Sequence, residues 1–159
     1  MTTMKHRLTR VGNRIGVGMY RVLDGRLSSG SKKNRVLMIT TAGRRTGVPR
    51  STCVRYLEVT EGFVVWGTGA GSPRDPDWFC NLRKSTVAQV QVRAEHFEVK
   101  PRELVGRERE AMWNDVVLAQ VPDVAKLARR AARTIPVAVL QPVDVRSTQG
   151  RSHQDMPGA

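Results

Sequence analysis

Arg44, Arg45 and Arg50 fall within seven residues, in the stretch ITTAGRRTGVPR that spans residues 39–50. A guanidinium is a planar fork whose N–H donors match the paired oxygens of a phosphate or carboxylate. Gly43 and Gly47 allow a sharp turn that can aim backbone amides at an anion. Spacing alone leaves two readings open: a grip on a polyanion, or a solvated, charged hairpin tip. A Walker loop is excluded, because no Lys-Ser/Thr pair follows at the required distance.

A second glycine-rich stretch, GTGAG at 67–71, superficially suggests a dinucleotide fingerprint. It lacks the third glycine at the right offset, and Pro73 follows where a long helix should begin, so a Rossmann site is rejected. The glycines still permit close approach of a flat ligand to the backbone, and Thr68 adds a hydroxyl. Trp78 and Asn81 lie three apart on the next predicted helix and so share a face. Trp78 alone reads more readily as core than as a ligand contact. Cys53, Cys80, His6, His96 and His153 form no close-spaced ligand set, which argues against a metal site. The cysteines are expected as reduced, half-buried thiols rather than a disulfide.

The elements that must position these residues follow from hydrophobic periodicity. Strands are predicted at 35–41, 48–59, 63–67, 87–93, 97–104 and 135–143, with a turn at 42–47 and a hairpin at Glu61-Gly62. Asp75 and Pro76 are expected as the N-cap and first residue of a helix running to about Lys84. A further helix is expected over 107–120, with Ala111, Met112, Val116, Leu118 and Ala119 on its apolar side, and another from Pro122 to about Ala132. Six strands in hairpin-like order, with helices inserted late, favour a mainly β fold: an antiparallel barrel with peripheral helices.

The chain has 159 residues, enough for one domain with its own core. No apolar run is long enough to span a bilayer, and the first 30 residues lack the apolar core of a signal peptide, so a cytoplasmic location is expected. The net charge is +13, which attracts nucleic acid, anionic lipid or a multiply charged small molecule. Residues 1–35 hold nine basic side chains against Asp24 alone. Within them Leu8, Val11, Ile15, Met19 and Val22 mark one helix face. Residues 1–30 are therefore read as a basic amphipathic helix that lies on an anionic membrane surface or packs on this protein's own body. Residues 31–143 form the barrel domain, and the polar tail 144–159 is expected to be disordered. Only 5% of residues are aromatic, so no stacking platform for nucleic acid is evident.

Four pieces of the chain together resemble the deazaflavin-dependent nitroreductase family, actinobacterial oxidoreductases with a split β-barrel. They are YRVLDGRL at 20–27, LMITTAGRRTGVPRST at 37–52, GSPRDPDWFCNLRKS at 71–85 and RTIPVAVLQPV at 133–143. Their order and spacing make the resemblance specific over residues 20–143. It implies an enzyme that uses reduced coenzyme F420, an 8-hydroxy-5-deazaflavin with a phosphate and an oligoglutamate tail, as hydride donor. Arg44, Arg45 and Arg50 then match basic positions for the anionic tail, with Thr46, Gly47, Ser51, Thr52 and Cys53 in the same binding stretch. Gly67, Thr68 and Gly69 match the loop over the ring system, and Trp78 and Asn81 the helix behind it. No protein nucleophile is implied.

The chain departs from that pattern in places. Gly69 stands where relatives often carry a lysine, Cys53 where they carry proline, and Phe79 and Cys80 where they carry tyrosine and histidine. Nitroimidazole-reducing relatives place tyrosines at the positions of Val121, Val124 and Leu127, lining the substrate pocket. Three aliphatic residues there imply a more lipophilic electrophile, such as a quinone or an enone. An FMN-dependent reductase and a non-catalytic binder of deazaflavin or a fatty acyl group are the alternatives, and a homodimer is a further expectation.

Overall fold

The computed structural model describes residues 35–143. The predicted N-terminal helix and C-terminal tail lie outside the described residues. Six strands form a closed antiparallel barrel in the order β1-β2-β3-β6-β5-β4. They are β1 (Val36–Ala42), β2 (Pro49–Val59), β3 (Gly62–Trp66), β4 (Ala88–Val92), β5 (Glu95–Glu103) and β6 (Val137–Pro142). Closure comes from the pairing of β1 with β4, with Ile39 opposite Val90, so neither strand is left as an edge.

Strand alternation sorts the side chains. Leu37, Ile39, Val54, Tyr56, Val65, Val90, Val99 and Leu140 fill the interior together with Phe79 and Leu82. The last two come from helix α1 (Asp77–Lys84). The other face of β3 and β6 carries Val64, Trp66, Val137 and Val139, which form a second core under the later helices. β6 is therefore apolar on both faces, which explains its unbroken hydrophobic run.

Helix α2 (Gly106–Ala111) continues through π-helical turns over Met112–Leu118. Trp113, Val117 and Val121 face the second core. These residues recur every four positions, and a turn wider than the α-helical 3.6 residues keeps them nearer one line. The expected apolar side is thus corrected: Ala111 and Ala119 are exposed, and Met112, Val116 and Leu118 pack only at the margin. Helix α3 (Val124–Ala131) ends at Ala132, which takes a left-handed conformation.

The β2–β3 hairpin requires Gly62. Its φ is +143°, and a Cβ there would fall 2.2 Å from the Leu140 carbonyl oxygen of β6. The missing side chain lets β3 and β6 approach.

Candidate functional site at one end of the barrel

The strand directions bring distant segments to one rim. The β1–β2 turn, the loop after β3, helix α1 before β4, the segment after β5 and the segment before β6 all lie at the same barrel end. The candidate residues of both glycine-rich stretches therefore meet.

The turn closes through Gly47 N–H donating to the Gly43 carbonyl at 2.7 Å and Gly43 N–H donating to that of Val48 at 2.9 Å. The three arginines then divide by role. The Arg44 guanidinium donates to the Asn81 Oδ1 at 2.9 Å and to the Asp77 carboxylate at 3.0 Å. The Arg44 backbone N–H also donates to Asn81 Oδ1, at 3.2 Å. Arg44 thus ties the turn to helix α1, and Asn81, which is buried, is the anchor. Arg45 and Arg50 are exposed and make no ion pair among the described residues. Their guanidinium forks remain available to an anion, whereas that of Arg44 is engaged.

Alternation also divides the binding stretch on β2. Arg50 and Thr52 share the strand side of Val54 and Tyr56, which faces the barrel interior. Ser51 and Cys53 fall on the opposite side: Ser51 pairs its hydroxyl with that of Thr40 at 2.7 Å, and Cys53 packs beside Met38. The binding stretch is thus divided, because a strand presents alternate residues to opposite faces. Neither cysteine is in a disulfide; they stand on β2 and α1 respectively. Among the described residues no group of three or more His, Cys, Asp or Glu is placed to hold a metal ion.

The loop after β3 makes a short 3₁₀ turn at Gly69–Gly71. Three successive residues have positive φ: Gly69 at 55°, Ala70 at 55° and Gly71 at 81°. Thr68 before them is right-handed, at φ −69° and ψ −25°. A right-handed residue followed by a left-handed one turns successive N–H groups toward a common concavity. Gly71 also seats helix α3, since a Cβ there would lie 2.8 Å from Cδ of Arg130.

Arg133 holds this loop, and the sequence reading did not assign it a role. It donates to the carbonyls of Gly67 at 3.0 Å, Thr68 at 3.2 Å, Ser72 at 3.0 Å and Arg74 at 3.0 Å. It also pairs with the Asp75 carboxylate at 2.8 Å. Asp75 is engaged on its other oxygen by Arg83, at 3.0 Å. The predicted helix start is accordingly shifted by one residue. Pro76 is the N-cap, and its carbonyl accepts from Phe79 and Cys80, because the Asp75 side chain is committed to the two arginines. Glu103 completes the chain by a two-pronged contact with Arg83, at 2.7 and 2.8 Å, and these bonds hold Arg83 protonated even more firmly than usual.

Trp78 is half-buried, packs on the interior core and meets Phe79 edge-on at 5.3 Å between ring centroids. It serves the core and keeps part of its surface exposed. Of the three residues expected to line a substrate pocket, two lie in the core. Val121 and Val124 are fully buried in the second core, which the helices need in order to seat on β3 and β6. Leu127 alone of the three stays partly exposed.

The fold is of the split-barrel class: a closed antiparallel barrel that offers a basic turn and a glycine-rich loop at one mouth. The sequence profile described as F420H(2)-dependent quinone reductase matches residues 12–142. The chain belongs to this family: it is an F420H2-dependent reductase, and coenzyme F420 is its cofactor. An F420H(2)-dependent quinone reductase of Mycobacterium tuberculosis is 26% identical over 136 residues, covering 79% of this chain and 91% of that protein. Among solved structures, the F420-H2 dependent reductase FDR-A has a TM-score of 0.60 at 25% identity, covering 67% of this chain and 94% of that one. A structure described as a domain-swapped dimer shares the fold at a TM-score of 0.61 and 22% identity, over 80% of this chain and 96% of that one.

The rim fits the cofactor chemically. A polyanionic tail calls for guanidinium groups not already paired, which Arg45 and Arg50 supply. Beside them, Gly69 and Gly71 permit the left-handed backbone that turns the N–H groups of the loop outward.

Proposed function

We propose that this reductase passes a hydride from reduced F420 to a lipophilic electrophile of the quinone class, with the cofactor lying across the rim of the barrel. The observation that carries the reading is the convergence of the β1–β2 turn and the glycine-rich loop on one mouth, with Arg45 and Arg50 in no ion pair among the described residues. On this reading Arg45 and Arg50 hold the anionic tail, and Thr46, Gly47 and Thr52 line its path. Gly67, Thr68 and Gly69 lie against the ring system, while Trp78 and Asn81 support them. The bound cofactor supplies the hydride; the protein binds it, orients it and excludes competing acceptors.

The aliphatic residues of helix α3 and its approach support a greasy electrophile. Leu127 is the pocket-wall candidate, with Val121 and Val124 as its packed backing. No phenol stands at these positions to favour a nitroimidazole. The relative from Mycobacterium tuberculosis is itself described as a quinone reductase. The test is oxidation of reduced F420 followed with a menaquinone-type quinone and, separately, with a nitroimidazole. Faster turnover of the quinone is expected; comparable rates overturn the substrate assignment.

Residues 1–30 supply a reason for the enzyme to meet such a substrate. A basic amphipathic segment ahead of a barrel domain at 31–143 brings the rim to an anionic bilayer, each nearby Lys or Arg contributing about 1 kcal/mol before screening. Among the described residues no helix is long and apolar enough to cross a membrane. Sedimentation with anionic liposomes should be lost at high salt and on deletion of residues 1–30; persistence after the deletion counts against peripheral binding.

A further inference from the structure

We propose that Arg133 is the positioning residue of the cofactor loop, setting the direction in which the amides of Thr68 and Gly69 point. The inference rests on the reading that this loop meets the F420 ring system.

The argument begins with the peptide plane. In a planar trans peptide the C=O and the following N–H point in opposite directions. Arg133 draws in the carbonyl of Gly67, so the N–H of Thr68 is turned away from the guanidinium. It draws in the carbonyl of Thr68 as well, so the N–H of Gly69 is turned the same way. The Gly71 N–H donates to that same Thr68 carbonyl at 3.0 Å, and the Ser72 N–H to the Gly69 carbonyl at 3.1 Å. These bonds lock the turn from within while Arg133 locks it from behind. No partner among the described residues takes the N–H of Thr68 or Gly69. Two neighbouring donors suit the acceptor edge of a flat heterocycle.

The loop would not choose this conformation unaided. Gly69 and Gly71 take positive φ at little cost, but Ala70 at φ 55° costs free energy that the surroundings must offset. The planar guanidinium reaches four carbonyls and a carboxylate from three nitrogens, with Nη2 shared among three of the carbonyls, whereas an ammonium has three donors at one point. The Arg133 side chain is only 15% exposed, as a group built into the frame should be. Arg133 also reaches the loop from the segment that leads into β6, where the Gly67 N–H donates to Pro136 at 3.0 Å. The loop's carbonyls are thus gathered by a part of the chain 59 to 66 residues away in sequence.

The test compares Arg133→Lys, Arg133→Gln and Glu103→Gln with the wild-type chain. Glu103 sits at the far end of the same ion-pair chain but does not touch the loop. Oxidised F420 is titrated by fluorescence, and hydrogen exchange of residues 67–75 is followed without cofactor. Both Arg133 variants should raise the F420 Kd at least tenfold and speed exchange at Gly71 and Ser72. Glu103→Gln should leave the Kd within twofold, even if it melts earlier. In steady state, the KM for reduced F420 should rise in Arg133→Lys far more than the KM for the electrophile. Wild-type binding of F420 with equal binding by Arg133→Lys overturns this inference alone. Failure of the wild-type chain to bind F420 overturns the functional reading. Faster exchange at Gly71 and Ser72 in Arg133→Lys would then still support Arg133's hold on the loop, and unchanged exchange would refute it.

Discussion

The division of labour among the three arginines of the β1–β2 turn can be separated by experiment. Arg44→Ala removes the guanidinium bonds to Asn81 and to the Asp77 carboxylate and carbonyl. Hydrogen bonds to charged groups contribute about 1.5–3 kcal/mol when shielded. Here the Arg44 side chain is 27% exposed and that of Asp77 is 68% exposed, so solvent screens the pair. A net loss of about 1–2 kcal/mol follows, since Asn81 Oδ1 keeps the Arg44 backbone N–H as a donor. For a domain of this size that lowers the Tm by about 2–8 °C. Arg45→Ala with Arg50→Ala removes no ion pair among the described residues, so the Tm should hold. Each exposed guanidinium facing a phosphate or carboxylate contributes roughly 0.5–1.5 kcal/mol, so the F420 Kd of the double variant should rise roughly 5- to 150-fold. Its salt dependence should also flatten, because raising salt from 0.1 to 1 M shortens the screening length from about 10 to about 3 Å. Differential scanning fluorimetry and fluorescence titration at two salt concentrations read both quantities. Unchanged affinity in the double variant, or an Arg44→Ala protein that melts normally yet loses the cofactor, refutes the division.

Gly62→Ala should destabilise the barrel severely, because the new Cβ meets the backbone oxygen of Leu140, which cannot move without parting β3 from β6; loss of soluble, cooperatively melting protein is the readout. Arg109 is buried, donates twice to the Ile135 carbonyl and lies 4.9 Å over the Trp113 ring. Arg109→Met should therefore cost about 2–4 kcal/mol in urea unfolding, from an orphaned carbonyl and a lost cation–π contact. Tyr56 is buried in the barrel interior, and burial chiefly raises its phenol above the ordinary range. The unfolded chain then ionises first, so this contribution to stability is full below about pH 10 and is lost as pH rises through the higher folded value. Tyr56→Phe should flatten that alkaline slope in unfolding experiments; an unchanged slope rejects the assignment.

The reach of periodicity ends where side-chain commitments begin. Asp75 has the right type and place for an N-cap, yet its carboxylate is held by Arg83 and Arg133. The helix therefore starts one residue later. Val121 and Val124 were legible as apolar but not as buried, because what covers them is a sheet formed by strands far away in the chain. Arg133 stood in a recognisable segment without any local sign of its role, since its five partners lie 58 to 66 residues earlier.

The order of amino acids alone determined the six strands, the glycine-rich turns, the excess of positive charge and the likeness to F420-dependent enzymes. These are local or compositional properties: alternation, turn chemistry and the placing of motifs along the chain. Tertiary structure decided which arginines remain available and which are spent on the frame, which face of β2 each residue takes, and what holds the glycine loop in its left-handed shape. Those outcomes depend on barrel closure, because pairing β1 with β4 and β3 with β6 sets the partners each charged group can reach.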